Sequence, residues 1–213
     1  MRIPPTDDAD PKPALRRTLR RRRAAAFDVE SRAWDAGAHC DAVAGLVVPE
    51  AGEVSGIGGA PGAGGAPGAG EVRGAAGAPA VAAYRSVETE PPTMTLLTYL
   101  RDLEVRVMVP WATTASQACG PNGRRWVRWQ AEEAEECVEV GAVIVPALAV
   151  GRDGVRLGQG GGWYDRMLAD ASGIPKLAMI NPAELLDAGV VPREAHDVLM
   201  DGVVLPTGIV WLA

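Results

Sequence analysis

The chain has 213 residues and a formal net charge of −6, with 47% hydrophobic and 23% charged residues. This length predicts one domain with a sizeable core, and the negative charge argues against a nucleic-acid partner. The three cysteines, Cys40, Cys119 and Cys137, are widely spaced and form no C-x-x-C pair, so we expect a reducing cytoplasm rather than a disulfide framework. We expect no signal peptide, because the N-terminus carries Asp7, Asp8 and Asp10 and no apolar run. We also expect no membrane partner, because the longest apolar run is too short to span a bilayer.

The first part of the chain predicts two helices, over residues 13–26 and 29–46. The start of the first helix is strongly basic, with Lys12, Arg16, Arg17 and Arg20 to Arg23. For most of these side chains we interpret the charge as a solvated helix face. Lys12 and Arg16 are four residues apart and therefore share a face. His39 is interpreted as a surface or packing residue, because no partner lies at metal-binding spacing.

Residues 49–79 form a Gly/Ala/Pro-rich stretch with a short GAPGAG repeat and almost no large apolar residue. Such a composition cannot offset the entropy of ordering the chain, and it lacks the strict period of collagen. We therefore predict a flexible surface insertion that precedes the first strand.

The middle of the chain predicts a strand, a helix and a second strand. The strands are expected at residues 81–84 and 106–110, and the helix between them has an apolar face of Leu96, Leu97, Leu100 and Leu103. A βαβ unit of this kind implies a parallel α/β sheet. Glu90 precedes the helix, at the carboxyl edge where such sheets bind ligands. Charge compensation at the helix N-terminus is an equally good explanation for Glu90.

The second half predicts further short elements. We expect strands at residues 125–130, 138–150, 176–180 and 203–205, a solvated helix or turn in the acidic run at 132–139, and a short helix at 182–186. Trp126 and Trp129 are interpreted as core residues rather than ligand-stacking residues.

The most informative stretch is GVRLGQGGGWYDRML, residues 154–168, whose glycines lie between a buried strand and a helix start. Glycine lets the backbone approach a ligand closely, and a helix start offers unpaired N–H groups, so together they can cradle a phosphate. Arg156 adds a positive fork, and Asp165 can hold Mg²⁺ against phosphates. The stretch is not a Walker A loop, because no Lys-Ser or Lys-Thr pair follows the glycines, and it is not a Rossmann fingerprint, because Trp163 replaces the third glycine. A tight turn that packs a helix on a sheet is the structural alternative.

The motif RLGQGGGWYDR resembles the signature of the 5-formyltetrahydrofolate cyclo-ligase family, the 5,10-methenyltetrahydrofolate synthetases. Three further stretches agree in order: KPALRRTLRRRR, AAYRSVETEPPTMTLLTYL and REAHDVLMDGVV. The resemblance implies a three-layer α/β/α fold with a mainly parallel sheet. We expect one such domain over residues 1–213, with the insertion at about 49–79.

The resemblance also implies the chemistry, an ATP- and Mg²⁺-dependent conversion of 5-formyltetrahydrofolate to 5,10-methenyltetrahydrofolate with release of ADP and phosphate. The resemblance implies reduced folate and ATP as the small-molecule partners, and we expect a monomer. The family pattern assigns ATP to Lys12, Arg16, Arg156, Leu157, Gly158, Gln159, Gly160, Gly161, Gly162, Trp163 and Tyr164. It assigns the folate to Arg85, Glu90 and Tyr164, the metal to Asp165 and Asp197, and catalysis to Arg156 and Tyr164.

Two stretches depart from the family pattern. The connection from Gln130 to Val140 is shorter than in related chains, where the longer segment helps to wall the substrate pocket. Asn181 and Pro182 stand where the family more often has an aromatic-acidic step. These departures leave open a non-catalytic nucleotide- or folate-binding paralogue. For Asp197, capping of a turn is the alternative role, and no residue is identified as a general base.

Overall fold

The computed structural model describes residues 10–34, 37–47, 80–87, 89–110, 126–128, 134–135, 140–169 and 173–212. The predicted insertion at 49–79 lies outside these residues, as do Trp129 and most of the shortened connection before Val140. Within the described part, the helices are α1 (Pro11–Ala33), α2 (Ala38–Ala44), α3 (Met94–Asp102) and α4 (Trp163–Leu168), with a 3₁₀ turn at Pro182–Glu184. The strands are β1 (Ala80–Ala82), β2 (Val107–Pro110), β3 (Trp126–Arg128), β4 (Ala134–Glu135), β5 (Val140–Pro146), β6 (Ala149–Gly151), β7 (Arg156–Leu157), β8 (Lys176–Met179), β9 (Leu185–Leu186), β10 (Gly202–Leu205) and β11 (Gly208–Trp211).

Eight strands form the main sheet in the order β11-β10-β8-β5-β1-β2-β3-β4. The five strands from β10 to β2 run parallel, and β11, β3 and β4 are added antiparallel at the two sides. Strands β1 and β2 pair in parallel, with Val81 opposite Val107, and α3 connects them along the chain. This arrangement confirms the predicted βαβ unit. The remaining strands form a small sheet in the order β7-β6-β9.

Side chains alternate between the two faces of the main sheet, because successive residues of a strand point in opposite directions. Val81 and Ile144 pack with α2 and α3 on one face. Ala82 and Val145 pack with Met167 of α4 on the other. Helices thus cover both faces, which confirms the three-layer α/β/α architecture with a mainly parallel sheet.

Helix α1 packs on the small sheet instead of the main one. Its residues Leu15 and Leu19 lie against Leu148, Val155 and Leu157. The spacing of four residues places both leucines on one face of the helix. This packing fixes α1 beside the chain that leads into the glycine-rich stretch.

Several elements differ from the sequence prediction. Helix α1 continues to Ala33 and takes the start of the predicted second helix, so that α2 is only seven residues long. The break between them includes buried Trp34 and Gly37, whose φ of 74° suits glycine. His39 is buried with its ring edge against Trp34, which confirms its packing role.

Three other predictions were wrong in the described residues. Part of the acidic run is the strand β4, which pairs with β3, instead of a solvated helix or turn. Leu103 lies just beyond the end of α3 and is 39% exposed, so it is not part of the buried helix face. The strand predicted at residues 203–205 is not the last strand as expected, because β10 is followed by β11, which runs antiparallel beside it.

Candidate nucleotide and folate site

The glycine loop, residues 158–162, connects β7 to α4. A Cβ atom at Gly158 would lie 2.8 Å from Nη1 of Arg156, and one at Gly162 would lie 2.9 Å from Nη1 of Arg166. Gly160 and Gly162 also have φ values of 107° and 60°. The positive φ angles at Gly160 and Gly162 therefore favour glycine, and a side chain at Gly158 would displace the buried Arg156 guanidinium.

Arg156 lies beneath the loop and is only 5% exposed. Its Nη2 donates to Oδ1 of Asp165 at 2.9 Å, and its Nη1 donates to the Pro146 carbonyl at 3.3 Å. The guanidinium carbon is 5.7 Å from the centre of the Tyr164 ring, which allows a cation–π contact. The buried Nε of Arg156 has no hydrogen-bond partner among the described residues. A fixed positive charge thus lies beside the loop, and such a charge favours the binding of an anion.

Helix α1 brings further positive charge to the loop. Nε of Arg16 donates to the Gly158 carbonyl at 3.0 Å. Arg20, one turn later, donates to both Oε1 and the main-chain carbonyl of Gln159. The face predicted from the spacing of Lys12 and Arg16 is therefore the face that meets the glycine loop.

Lys12 is buried and binds a carboxylate pair. Its Nζ lies 2.8 Å from Oδ2 of Asp197 and 3.2 Å from Oε1 of Glu194. Burial alone would lower the pKa of Lys12, but the two carboxylates outweigh it and raise that pKa. For Asp197, burial favours a higher pKa, yet the hydrogen bonds from Lys12 and the Glu194 N–H hold its pKa below the usual value. Both groups are therefore charged at neutral pH.

The described residues contain one group that could hold a metal ion, in which ligand atoms of Glu194, His196 and Asp197 lie within 4.8 Å of one another. Asp165, the other predicted metal ligand, is not part of this group and pairs with Arg156 instead. The structure therefore does not gather Asp165 and Asp197 into one cluster.

On the other side of the loop, Glu90 is 8% exposed, and its Oε2 accepts the Val87 N–H at 3.2 Å. Burial raises the pKa of the Glu90 carboxyl, against the opposing effects of the Val87 N–H, Arg23 and Gln159. Glu90 thus closes a turn before α3, and it does not cap the helix.

Tyr164, at the start of α4, is half-buried and near Glu90. Burial, together with the negative charge of Glu90, raises the pKa of the Tyr164 phenol, although Arg156 opposes the shift. The phenol therefore stays protonated and can donate a hydrogen bond. The Trp163 and Tyr164 rings pack edge-on, with their centres 4.5 Å apart. Arg85, the remaining predicted folate residue, is exposed and lies three residues after the end of β1.

Arg23 was missed as a buried residue, because a basic run was interpreted as a solvated face. It is 3% exposed, and its Nε and Nη2 each donate to Glu184 at 2.5 Å. The sequence does contain a signal, since Arg23 continues the four-residue spacing of the buried Leu15 and Leu19.

Asn181, one of the departures from the family pattern, has a structural role. Its main-chain N–H donates to Oε2 of Glu184 at 2.9 Å, and its side-chain Oδ1 accepts the Trp34 Nε1–H at 2.9 Å. Asn181 therefore links the 3₁₀ turn to the break after α1.

A family model described as the 5-formyltetrahydrofolate cyclo-ligase family matches residues 69–206, which include the whole glycine loop. The chain belongs to this family. The predicted family and the ligase class that its name states are thereby confirmed. The match begins after α1, so Lys12 and Arg16 lie outside it.

Two related proteins carry the same name. The 5-formyltetrahydrofolate cyclo-ligase of Mycolicibacterium smegmatis (strain ATCC 700084 / mc(2)155) is 38% identical over 152 residues, which cover 62% of this chain and 76% of that protein. The mitochondrial 5-formyltetrahydrofolate cyclo-ligase of Arabidopsis thaliana is 34% identical over 87 residues, 37% of this chain and 31% of that protein.

Solved structures support the fold. The 5,10-methenyltetrahydrofolate synthetase of Mycoplasma pneumoniae superimposes with a TM-score of 0.62 at 18% identity, over 91% of this chain and 97% of that one. The synthetase of Aquifex aeolicus gives 0.61 at 20% identity, over 95% and 93%. Among the described helices, none has the length and apolar character needed to cross a membrane.

Proposed function

We propose that this chain converts 5-formyltetrahydrofolate to 5,10-methenyltetrahydrofolate, using Mg²⁺ and ATP and releasing ADP and phosphate. The observation that carries the proposal is the glycine loop beside Arg156, a buried guanidinium whose orientation is fixed by Asp165 and the Tyr164 ring. The membership of the family supplies the folate as the acceptor.

The proposed reaction has two steps. The formyl oxygen attacks the γ-phosphorus of ATP, the bond from phosphorus to the bridging oxygen breaks, and ADP leaves. The N10 nitrogen then attacks the formyl carbon and loses its proton, and phosphate leaves with the former formyl oxygen. No protein nucleophile is needed, so positioning and electrostatic stabilisation must supply most of the rate.

For the nucleotide, we propose that Lys12, Arg16 and Arg156 neutralise phosphate charge. The backbone from Leu157 to Trp163 would supply N–H donors, because the glycines at 158, 160, 161 and 162 let the chain approach the phosphates closely. Tyr164 is protonated and can donate to a ligand oxygen.

For the folate, we propose Glu90, Arg85 and Tyr164. The Glu90 carboxylate accepts the Val87 N–H through Oε2, and a carboxylate can accept further hydrogen bonds from a ligand. The Gln159 side chain influences the Glu90 carboxyl. The folate residues therefore adjoin the glycine loop, as transfer between two bound substrates requires.

The donor set suits Mg²⁺, which prefers oxygen ligands and is usually bound by one or two carboxylates together with substrate phosphates. Asp165 and Asp197 are the proposed ligands, and their carboxylates are held by Arg156 and Lys12. When bound, the ion would neutralise charge on the phosphates during transfer.

The test is the absorbance of the methenyl-folate band with purified protein, 5-formyltetrahydrofolate and Mg·ATP, with ATP omitted as the control. We expect an increase that requires ATP. Calorimetric binding of ATP without any increase in absorbance would contradict the proposal and indicate a binding paralogue.

A second arm tests the metal ligand. Asp165→Asn is expected to abolish Mg²⁺-dependent turnover while the fold, measured by circular dichroism, is retained. Asp187→Asn, at an exposed position, is the matched control and should behave like the wild type. Undiminished turnover of the Asp165→Asn variant with a normal Mg²⁺ dependence would remove Asp165 from the metal site.

The monomeric state and the cytoplasmic location of the protein stay predictions.

A further inference from the structure

One face of helix α1 carries three basic residues at four-residue spacing, Lys12, Arg16 and Arg20. Lys12 contacts the segment at 194–197, whereas the two arginines contact the loop itself. Lys12 and Arg16 already belong to the proposed nucleotide site. Arg20 has no part in the proposed chemistry, and yet it makes more hydrogen bonds to the loop than Arg16 does.

The contacts of Arg20 all involve one residue. Nη2 donates to Oε1 of Gln159 at 2.8 Å and to its main-chain carbonyl at 3.1 Å, and Nε donates to Oε1 at 3.1 Å. The planar guanidinium thus binds both the side chain and the backbone of Gln159. A fork of fixed geometry that binds two acceptors of one residue restrains the orientation of that residue.

The two arginines orient consecutive peptide groups. Arg16 binds the carbonyl of Gly158, and Arg20 binds the carbonyl of Gln159. The described peptide bonds are all trans, and in a trans peptide the N–H points away from the carbonyl. Because both carbonyls face α1, the N–H groups of Gln159 and Gly160 point away from it. Among the described residues, neither N–H donates to another backbone carbonyl.

We propose that Arg20 is a positioning residue of the nucleotide site, which binds Gln159 and thereby holds the N–H groups of Gln159 and Gly160 towards the phosphates. The inference rests on the proposed function, since it concerns the same loop. Glycine on both sides of Gln159 leaves the backbone free to rotate, so the loop needs an external restraint to stay in the binding orientation. Gln159 adds a side-chain acceptor to its main-chain carbonyl, whereas an apolar residue at this position would offer Arg20 the carbonyl alone.

The test uses the full chain with Arg20→Ala, and Arg21→Ala as the matched control. Arg21 is the next residue of the same helix, it is exposed, and its loss removes the same charge. We expect Arg20→Ala to raise the KM for Mg·ATP about tenfold, as the loss of charge-assisted hydrogen bonds does. The KM for the folate and kcat should change less than about twofold. We expect this because the loop N–H groups bind the nucleotide equally in the ground state and in the transition state. Arg21→Ala should leave all three values unchanged.

Gln159→Ala separates positioning from direct contact with the phosphates. It removes the side-chain acceptor of two of the three contacts, so it should raise the KM for Mg·ATP to a smaller extent. In the Arg20→Ala background it should cause no further increase. A full additional increase in that background would show that Arg20 acts independently of Gln159 and would overturn the proposal. Arg20→Lys should rescue little, because an ammonium lacks the fork.

A measurement without substrate keeps this inference distinct from the proposed function. Backbone ¹⁵N order parameters of Gly160 and Gly161 should fall in Arg20→Ala and stay at the wild-type value in Arg21→Ala. Unchanged order parameters in Arg20→Ala would overturn the inference even in an active enzyme. A wild-type protein without any product would overturn the proposed function, and the order parameters would still decide the role of Arg20.

Discussion

The guanidinium of Arg156 contacts Asp165 at 2.9 Å and the Pro146 carbonyl at 3.3 Å, and it also faces the ring of Tyr164. These contacts fix its orientation before any ligand arrives. A charge that is oriented in advance needs no reorganisation when charge develops in a transition state, and this is a large source of enzymatic rate. The Arg156 side chain thus links strand β7 to two residues of α4, the carboxylate of Asp165 and the ring of Tyr164.

The pair of Lys12 and Asp197 gives a prediction about pH. The Asp197 pKa is lowered in the folded protein, so its contribution to stability is present above the ordinary value of 3.8 and is lost as pH falls through the folded pKa. The Lys12 pKa is raised above 10.5, so its contribution persists in alkaline solution until pH rises through that raised value. We therefore expect the pair to stabilise the fold across the whole neutral range.

The variant Asp197→Asn should lower the free energy of unfolding at pH 7 by about 2 kcal/mol, the usual size for a hydrogen bond to a charged group. The difference from the wild type should shrink as pH falls below 3.8, because protonated Asp197 then resembles asparagine. Urea unfolding of both proteins from pH 7 to pH 2 measures this difference. A gap that stays constant with pH would show that the charge of Asp197 is not what stabilises the fold.

At the scale of the element, α1 has two functional faces. Lys12, Arg16 and Arg20 meet the site, and Leu15 and Leu19 pack on the small sheet. The periodicity of the sequence was sufficient to predict the helix and the shared face of Lys12 and Arg16. It could not show which basic residues are buried, because that depends on partners far away in the chain.

Arg23 is the clearest case of such dependence, because its partner Glu184 is 161 residues away. We expect Arg23→Gln to destabilise the fold by about 3–5 kcal/mol, since it leaves a buried carboxylate unpaired. Arg22→Gln, at the exposed neighbouring position, should change the stability by less than about 0.5 kcal/mol. Urea unfolding of the two variants measures the contrast. Equal stabilities would mean that the Arg23–Glu184 pair contributes nothing to the fold.

For the whole molecule, the resemblance and the βαβ pattern predicted the three-layer fold and its parallel sheet. The sequence did not predict β11, β4 or the small sheet. Strands of two or three residues, such as β4, β7 and β9, are too short to show a period of two. Their positions are determined by the register of neighbouring strands, which single-sequence patterns do not contain. The glycine motif was sufficient to predict where the candidate site lies. The contacts between α1 and the glycine loop could not be predicted, because they depend on the tertiary structure.

The predicted insertion at 49–79 gives a test at this scale, although it lies outside the described residues. We expect deletion of residues 52–77 to leave folding and ligand binding intact. The deletion leaves six residues between Val47 and Ala80, which span roughly 20 Å when extended. Helix α2 packs on β10 and β11, and β10 lies three strand spacings from β1, roughly 14 Å. A loss of more than about 2 kcal/mol in the free energy of unfolding would contradict the prediction.

The ion pairs of α1 have a consequence for biosynthesis. Glu184 and Asp197 are translated 161 and 185 residues after their partners Arg23 and Lys12. At about 5–20 residues per second, this delay is on the order of ten to forty seconds. During that interval the basic helix is complete but has neither carboxylate, so its charges must stay in water or be bound by other molecules. The nucleotide site should therefore be among the last parts of the protein to form, and a nascent chain stalled before Glu184 should not retain ATP.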